Sequence, residues 1–249
     1  MNRRTMLMGL VAGPGVLAQG SLLACESEPA QEPSKPDPTL YVPKAHLVEE
    51  RNSLHDFMDE FAFVDVVTVS PTLRITHIPS VLDRTAGAYG TIFGHISAQN
   101  PQRAAFDGKQ TAVIVFRGPQ GYISPTWYAQ TEATPTWNFS VVHASGRPTA
   151  ISDKDQTREL LARLIAKFER SVGSSGYDLS KLPESYVSRL MGGIAPFRME
   201  VEALEGKFKL GQERTERDRR GVLAHLQKGG YRERSLYEVT DAFYKTVPK

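Results

Sequence analysis

Short apolar stretches, each about the length of a strand, dominate the chain from residue 62 to residue 151. They are rich in β-branched and aromatic residues, as in AFVDVVTV and TAVIVFR. Strands are predicted at 62–69, 73–77, 89–97, 111–117, 138–145 and 147–151, with turns at 70–71 and 118–121 and a short extended piece at 122–124. Because no helical pattern separates these strands, the order favours an antiparallel barrel over a doubly wound parallel sheet.

Helical periodicity appears on both sides of this strand-rich region. Apolar residues three or four positions apart predict helices at 44–61, 152–173, 183–191 and 215–227, followed by a weakly helical tail at 229–249. Ser152 with Asp155, and Thr215 with Asp218, have the spacing of a capping box. Strict alternation at 197–210 predicts one further strand. The predicted fold class is therefore α+β, mainly β, with an antiparallel barrel and added helices.

The first 39 residues have the pattern of a targeting segment. Arg3-Arg4 precedes an interrupted apolar stretch that ends in Leu22-Leu23-Ala24-Cys25. This arrangement predicts an export signal over 1–25 of the twin-arginine type, with a lipobox and lipidation at Cys25. The alternative is an anchor helix with an incidental buried cysteine. Residues 26–39 are rich in Pro and Glu and predict a flexible linker to a domain at 40–249.

Composition excludes several classes of protein. No run of about 18 apolar residues occurs, which excludes a polytopic membrane protein. The single cysteine excludes an internal disulfide and a multi-cysteine zinc cluster. The net charge is +2, and loss of Arg3 and Arg4 with the signal reduces it to zero. A nucleic-acid partner is therefore not expected.

Aromatic and hydroxyl side chains are concentrated between residues 117 and 143. Both tryptophans of the chain lie there, beside Ser, Thr and Asn residues. This mixture is typical of a site for a planar ligand with a polar edge, although aromatic packing inside the barrel would give the same composition. The candidates are Ser124, Trp127, Tyr128, Thr136, Trp137, Asn138 and His143.

Other chemistry is less well marked. Lys207 and Lys209 lie on one face of a predicted strand and are candidates for binding a phosphate, whereas the nearby arginines alternate with acids as on a solvated helix. His77, His95 and His143 lack the spacing of a metal site, so no metal is expected. Neither a Gly-x-Ser-x-Gly elbow nor a P-loop occurs, and the catalytic residues, if any, are unknown.

Several phrases together resemble a known family. They are YVPKAH (41–46), THIPSVLD (76–83), YGTIFGHISAQNPQ (89–102), VIVFRGPQGYISPTWY (113–128), TPTWNFSVVHASG (134–146) and LEGKFKLGQERTERDRRGV (204–222). Their order and spacing resemble the PaiB-type proteins, described as FMN-binding negative transcriptional regulators, over nearly the whole domain at 40–249.

The resemblance implies a split barrel similar to the pyridoxamine-phosphate-oxidase-like proteins. In such proteins the chain dimerises and FMN lies at the dimer interface. The resemblance makes the seven candidates above, together with Lys207, Lys209 and Gln212, candidate FMN contacts. The chain departs from the family's KLSQNR phrase at Gly211 and Glu213, and from its usual aromatic at Arg103.

The expected function is that of an exported, membrane-anchored FMN-binding protein that forms a homodimer and serves a flavin-dependent redox role, as an oxidoreductase if it is an enzyme. One alternative is a non-catalytic module that binds flavin or haem. Another is a PaiB-like negative transcriptional regulator, which requires a cytoplasmic form because a protein outside the membrane does not meet chromosomal DNA.

Overall fold

The computed structural model describes residues 37–130, 132–174 and 176–246. Cys25, the export signal, all of the linker before residue 37 and the last three residues lie outside these ranges. The described strands are β1 Leu47–Val48, β2 Phe63–Thr68, β3 Arg74–Pro79, β4 Val81–Asp83, β5 Thr91–Ser97, β6 Ala112–Ile123, β7 Thr136–Gly146, β8 Thr149–Ala150 and β9 Ile194–Lys209. The α-helices are α1 Arg51–Glu60, α2 Lys154–Ser171, α3 Glu184–Gly192, α4 Glu216–Lys228 and α5 Tyr231–Thr246.

The strands form one antiparallel sheet in the order β3-β2-β6-β7-β9-β5-β4, with β1 and β8 also paired to β9. Strand β9 is 16 residues long and joins the two parts of the sheet. Its first half pairs with β5 and its second half with β7. The sheet curls so that β3 and β5 approach each other. The result is a curled antiparallel half-barrel with added helices, as the sequence predicts.

The core fills the inside of the curled sheet. Alternate residues of the strands are directed inward, so that Ile114 and Phe116 of β6 meet Phe197 and Met199 of β9. Helix α1 packs its apolar side on this core, and α4 and α5 add further buried leucines. None of the helices within the described ranges is long and apolar enough to cross a bilayer.

Two local predictions are wrong. The segment at 118–121 is not a turn: β6 continues through it, with a register shift against β7 between Arg117 and Gln120. Helix α1 begins only at Arg51, because Glu50 caps it by accepting hydrogen bonds from the backbone of Asn52 and Ser53. The residues before Glu50 form the 3-10 helix Lys44–His46 and β1.

Of the two predicted helix caps, one is wrong and one is confirmed. Helix α2 is capped by Asp153, which accepts a hydrogen bond from the backbone of Gln156, and not by Ser152. Helix α4 is capped by Thr215 as predicted: the Thr215 hydroxyl accepts from the backbone N–H of Asp218 at 3.2 Å. Strand β4 was not predicted from its three-residue sequence.

Candidate functional site

The outer face of strands β7 and β9, which is directed away from the core, carries several predicted site residues. On β7, alternation brings Trp137, Phe139 and His143 to this face. The register with β9 places Lys209 opposite Phe139 and Glu205 opposite His143. We refer to this surface below as the outer face.

Lys209, at one end of the outer face, forms a cation–hydroxyl pair with Thr136, the first residue of β7. The Lys209 ammonium donates a hydrogen bond to the Thr136 hydroxyl at 2.6 Å. An ammonium has three donors, so two remain for another acceptor. The side chain of Lys209 is half-buried, which orients its charge. The pair is therefore equipped to bind an anionic oxygen by charge-assisted hydrogen bonds.

Lys207 lies two residues earlier on the same face and contacts aromatic rings. Its ammonium is 5.4 Å from the ring centre of Tyr41 and 5.5 Å from that of Phe139. It also donates a hydrogen bond to the Tyr41 carbonyl oxygen at 2.9 Å. Lys207 therefore holds the segment before β1 against the outer face. It also places a positive charge there.

His143 belongs to a chain of hydrogen bonds with the same segment. The Thr39 hydroxyl donates to the Glu205 carboxylate at 2.8 Å. Because this bond uses the only hydroxyl hydrogen, the contact of 3.0 Å between Thr39 Oγ1 and His143 Nδ1 requires Nδ1 to donate. Burial lowers the pKa of His143, and nearby Glu205 partly opposes this. Burial therefore favours the neutral form of this imidazole.

A groove opens beside the outer face, between the β6 irregularity and helices α4 and α5. Its volume is about 1420 Å³. Trp137 and Tyr122, cross-strand neighbours with ring centres 6.5 Å apart, line one side. Trp127 also lines the groove and stacks on His225 with ring centres 5.2 Å apart and planes within 8°. Both tryptophans thus line one groove.

Gly221 in α4 is necessary for the position of Trp127. A Cβ at Gly221 would lie 2.2 Å from the Trp127 carbonyl oxygen. Only glycine therefore allows the 3-10 helix Pro125–Trp127 to approach α4 this closely.

Ser124 and Tyr128 lie at the two ends of that 3-10 helix and not on the outer face. Ser124 caps it by accepting a hydrogen bond from the backbone of Thr126. The guanidinium of Arg214 lies 4.7 Å from the ring centre of Tyr128. Burial raises the pKa of Tyr128, and Arg214 partly opposes this. Ser124 and Tyr128 therefore have structural contacts of their own at this 3-10 helix.

Asn138 and Gln212 are also directed elsewhere. Asn138 lies on the inward side of β7 and is buried. The Gln212 amide folds back on the main chain: its oxygen accepts from Leu210 N, and its nitrogen donates to the carbonyl oxygens of Ala45 and Phe208. With these partners the Gln212 amide has little capacity left for a ligand.

Asp65 of β2 is a functional candidate that sequence reasoning missed. It is 14% exposed, and its carboxylate lies 2.5 Å from His77 Nδ1 and forms an ion pair with Arg117 at 2.9 Å. These residues come from three strands, and no local motif joins them. Only knowledge of the strand pairing could have identified the cluster.

The three histidines considered as metal ligands are not brought together. His77 pairs with Asp65, His143 contacts Thr39, and His95 is largely buried with its Nδ1 atom unpartnered among the described residues. Within the described ranges no group of three His, Cys, Asp or Glu side chains is arranged to hold a metal ion.

Comparison with known proteins gives the family. Residues 40–203 match the family described as "Putative FMN-binding domain". The chain is 32% identical, over 189 residues, to the "Protease synthase and sporulation protein PAI 2" of Bacillus subtilis, an alignment that covers 76% of this chain and 89% of that protein. This relative is a PaiB-type protein, in agreement with the motifs.

Solved structures resemble this chain in part and at low sequence identity. One is described as a putative pyridoxamine 5'-phosphate oxidase from Listeria innocua, with 9% identity, a TM-score of 0.38, and coverage of 64% of this chain and 98% of that chain. Another is the flavocytochrome Anf3 of Azotobacter vinelandii, with 14% identity, a TM-score of 0.48, and coverage of 68% and 72%. The family match and the Bacillus subtilis relative agree with the motifs: the chain belongs to the PaiB-like family whose domain is described as "Putative FMN-binding domain".

Proposed function

We propose that the protein binds FMN on the outer face and serves a redox function. The observation that carries this proposal is the pairing of Lys209 with Thr136, the residue that precedes the exposed Trp137 on β7. A phosphate needs cationic and hydroxyl donors, and a flat ring system needs aromatic surface. Lys209 and Thr136 would hold the phosphate, and Trp137 and Phe139 would contact the ring system.

The remaining residues of the outer face would orient FMN and balance its negative charge. Lys207 adds a second positive charge, and neutral His143 offers its Nε2 atom as a hydrogen-bond acceptor. Bound FMN supplies the capacity to transfer electrons or hydride, which none of the natural side chains has. The chain's contribution is to bind the cofactor and to exclude water from its ring.

The two departures from the family's KLSQNR phrase do not disrupt the pairing of Lys209 with Thr136. Gly211 has a φ of +77°, a conformation that suits glycine better than serine. The Glu213 carboxylate lies 3.7 Å from His46 and 4.0 Å from Arg214. Its charge is therefore partly balanced by groups other than Lys209. Neither departure argues against phosphate binding.

We also propose that the protein is a homodimer formed through the sheet. Phe63 and Ile75 lie on the same side of the sheet as Asp65 and are 67% and 55% exposed. A sheet surface with large exposed apolar side chains favours burial by a second copy. Light scattering of the protein and of its Ile75→Lys variant tests this: we expect a dimer that the substitution converts to monomer.

Export and lipid anchoring remain part of the proposal. Their support is the sequence of residues 1–25. The Cys25→Ser variant tests it in cells: the unchanged protein is expected in the membrane fraction and the variant in the soluble exported fraction. A substantial cytoplasmic pool of the unchanged protein would instead favour the regulator alternative.

The flavin content of the purified protein tests the proposed binding of FMN. Purified protein should be yellow and release FMN on denaturation, and Trp137→Ala should retain less. Electron donors then distinguish the two classes: turnover identifies an oxidoreductase, whereas bound FMN without turnover against any donor identifies a binding module. Haem as the bound pigment would support the haem alternative.

A further inference from the structure

The groove between β6 and the α4–α5 pair contains an unused imidazole. His225 Nδ1 lies 2.8 Å from the carbonyl oxygen of Gly221, one turn earlier in α4. A carbonyl can only accept, so Nδ1 must carry the hydrogen. In the neutral imidazole, Nε2 is then an acceptor. No residue of the described chain forms a hydrogen bond with Nε2.

Aromatic rings line the groove around this nitrogen. Trp127 stacks on the imidazole itself, and Trp137 and Tyr122 also line the groove. Val239 of α5 adds an apolar side chain to the wall, and Gly118 and Gly121 add positions without side chains. Such walls are suited to a planar aromatic ligand.

Charge in the groove is balanced. Three arginines and three glutamates line it: Arg117, Arg232, Arg234, Glu60, Glu233 and Glu238. With no excess of either sign, the groove does not favour a strongly charged ligand. A neutral ligand with a hydroxyl group is suited both to the charge balance and to the acceptor on His225.

We propose that this groove binds a neutral planar aromatic alcohol, a phenol or naphthol, whose hydroxyl donates a hydrogen bond to His225 Nε2. The groove adjoins the outer face, because Gln120 of its wall is the cross-strand neighbour of Phe139. Binding of this ligand does not depend on the proposed FMN site and can be measured without flavin.

The test uses the full chain, in both flavin-free and FMN-treated form. The chain has only two tryptophans, and both line the groove. With ¹⁵N-labelled tryptophan, the two indole N–H signals therefore report on occupancy by NMR. Calorimetry gives the affinities for 2-naphthol and for 2-methoxynaphthalene, which has the same rings but no hydroxyl hydrogen to donate.

We expect both indole signals to shift with 2-naphthol, and 2-naphthol to bind about fivefold more tightly than its methyl ether, as for one net hydrogen bond. His225→Phe keeps an aromatic ring over Trp127 and should abolish this fivefold preference. Gln227→Phe, an exposed position on the same helix outside the groove, should preserve it. Melting curves of both variants verify that they are folded.

Two results would overturn the proposal: unshifted indole signals, or equal affinities for the two compounds in the unchanged protein. Failure of FMN to bind, with the naphthol preference intact, would refute the proposed function and leave the groove's ligand class standing. The two failures are therefore distinguishable.

Discussion

Replacing Lys209 by Met tests the phosphate contact with little change in bulk. The methionine keeps an unbranched apolar chain in the half-buried position and removes the ammonium. One ammonium hydrogen is used by Thr136, so at least one charge-assisted hydrogen bond to a phosphate would be lost. Such bonds contribute about 1.5–3 kcal/mol. We therefore expect the Kd for FMN to rise roughly ten- to a hundredfold.

Riboflavin, which lacks the phosphate, provides the control ligand. We expect Lys209→Met to leave the Kd for riboflavin unchanged, as measured by quenching of flavin fluorescence. Lys228→Met, at the exposed end of α4, is the matched control variant and should bind both flavins normally. Equal weakening of FMN and riboflavin, or no weakening of either, would refute the assignment of Lys209 to the phosphate.

Three further predictions concern stability and the second member of the pair. Gly221→Ala should destabilise the fold by about 1–3 kcal/mol in urea despite the helix propensity of alanine, because its Cβ would meet a backbone oxygen; Gly192→Ala, which has open space, should not, and similar effects at both sites would contradict this reasoning. Burial lowers the pKa of His95 below its ordinary value, so the unfolded chain takes up the proton first, and stability should be lost as pH falls below about 6.5. His95→Leu should reduce that loss between pH 7.5 and 5.5, and an unchanged pH dependence would exclude His95 as a cause. Thr136→Val should weaken FMN binding by about fivefold and leave riboflavin binding intact; an unchanged Kd for FMN would argue against a hydroxyl contact.

The fold was predictable where the local pattern and the tertiary pairing agree. Strict alternation at 197–210 identified β9, and Thr215 identified the start of α4. The segment at 118–121 misled because Gly and Pro normally end a strand, whereas here pairing with β7 carries β6 through an irregularity. Local preference lost to tertiary pairing at this position.

The site was predictable in composition but not in arrangement. Residue type singled out Trp137, Lys209 and Thr136, but the contact of Lys209 with Thr136 depends on the pairing of β7 with β9 and not on spacing along the chain. Asn138 belongs to the same motif, yet strand alternation places it inside the barrel. The Asp65 cluster depends on three strands and left no signal in the sequence.

The central claim is that this chain binds FMN, and the most direct measurement is the visible absorption spectrum of the purified protein with identification of the released pigment. The account predicts a yellow protein with flavin absorption and FMN as the only flavin released. A colourless protein that also fails to take up added FMN would contradict it.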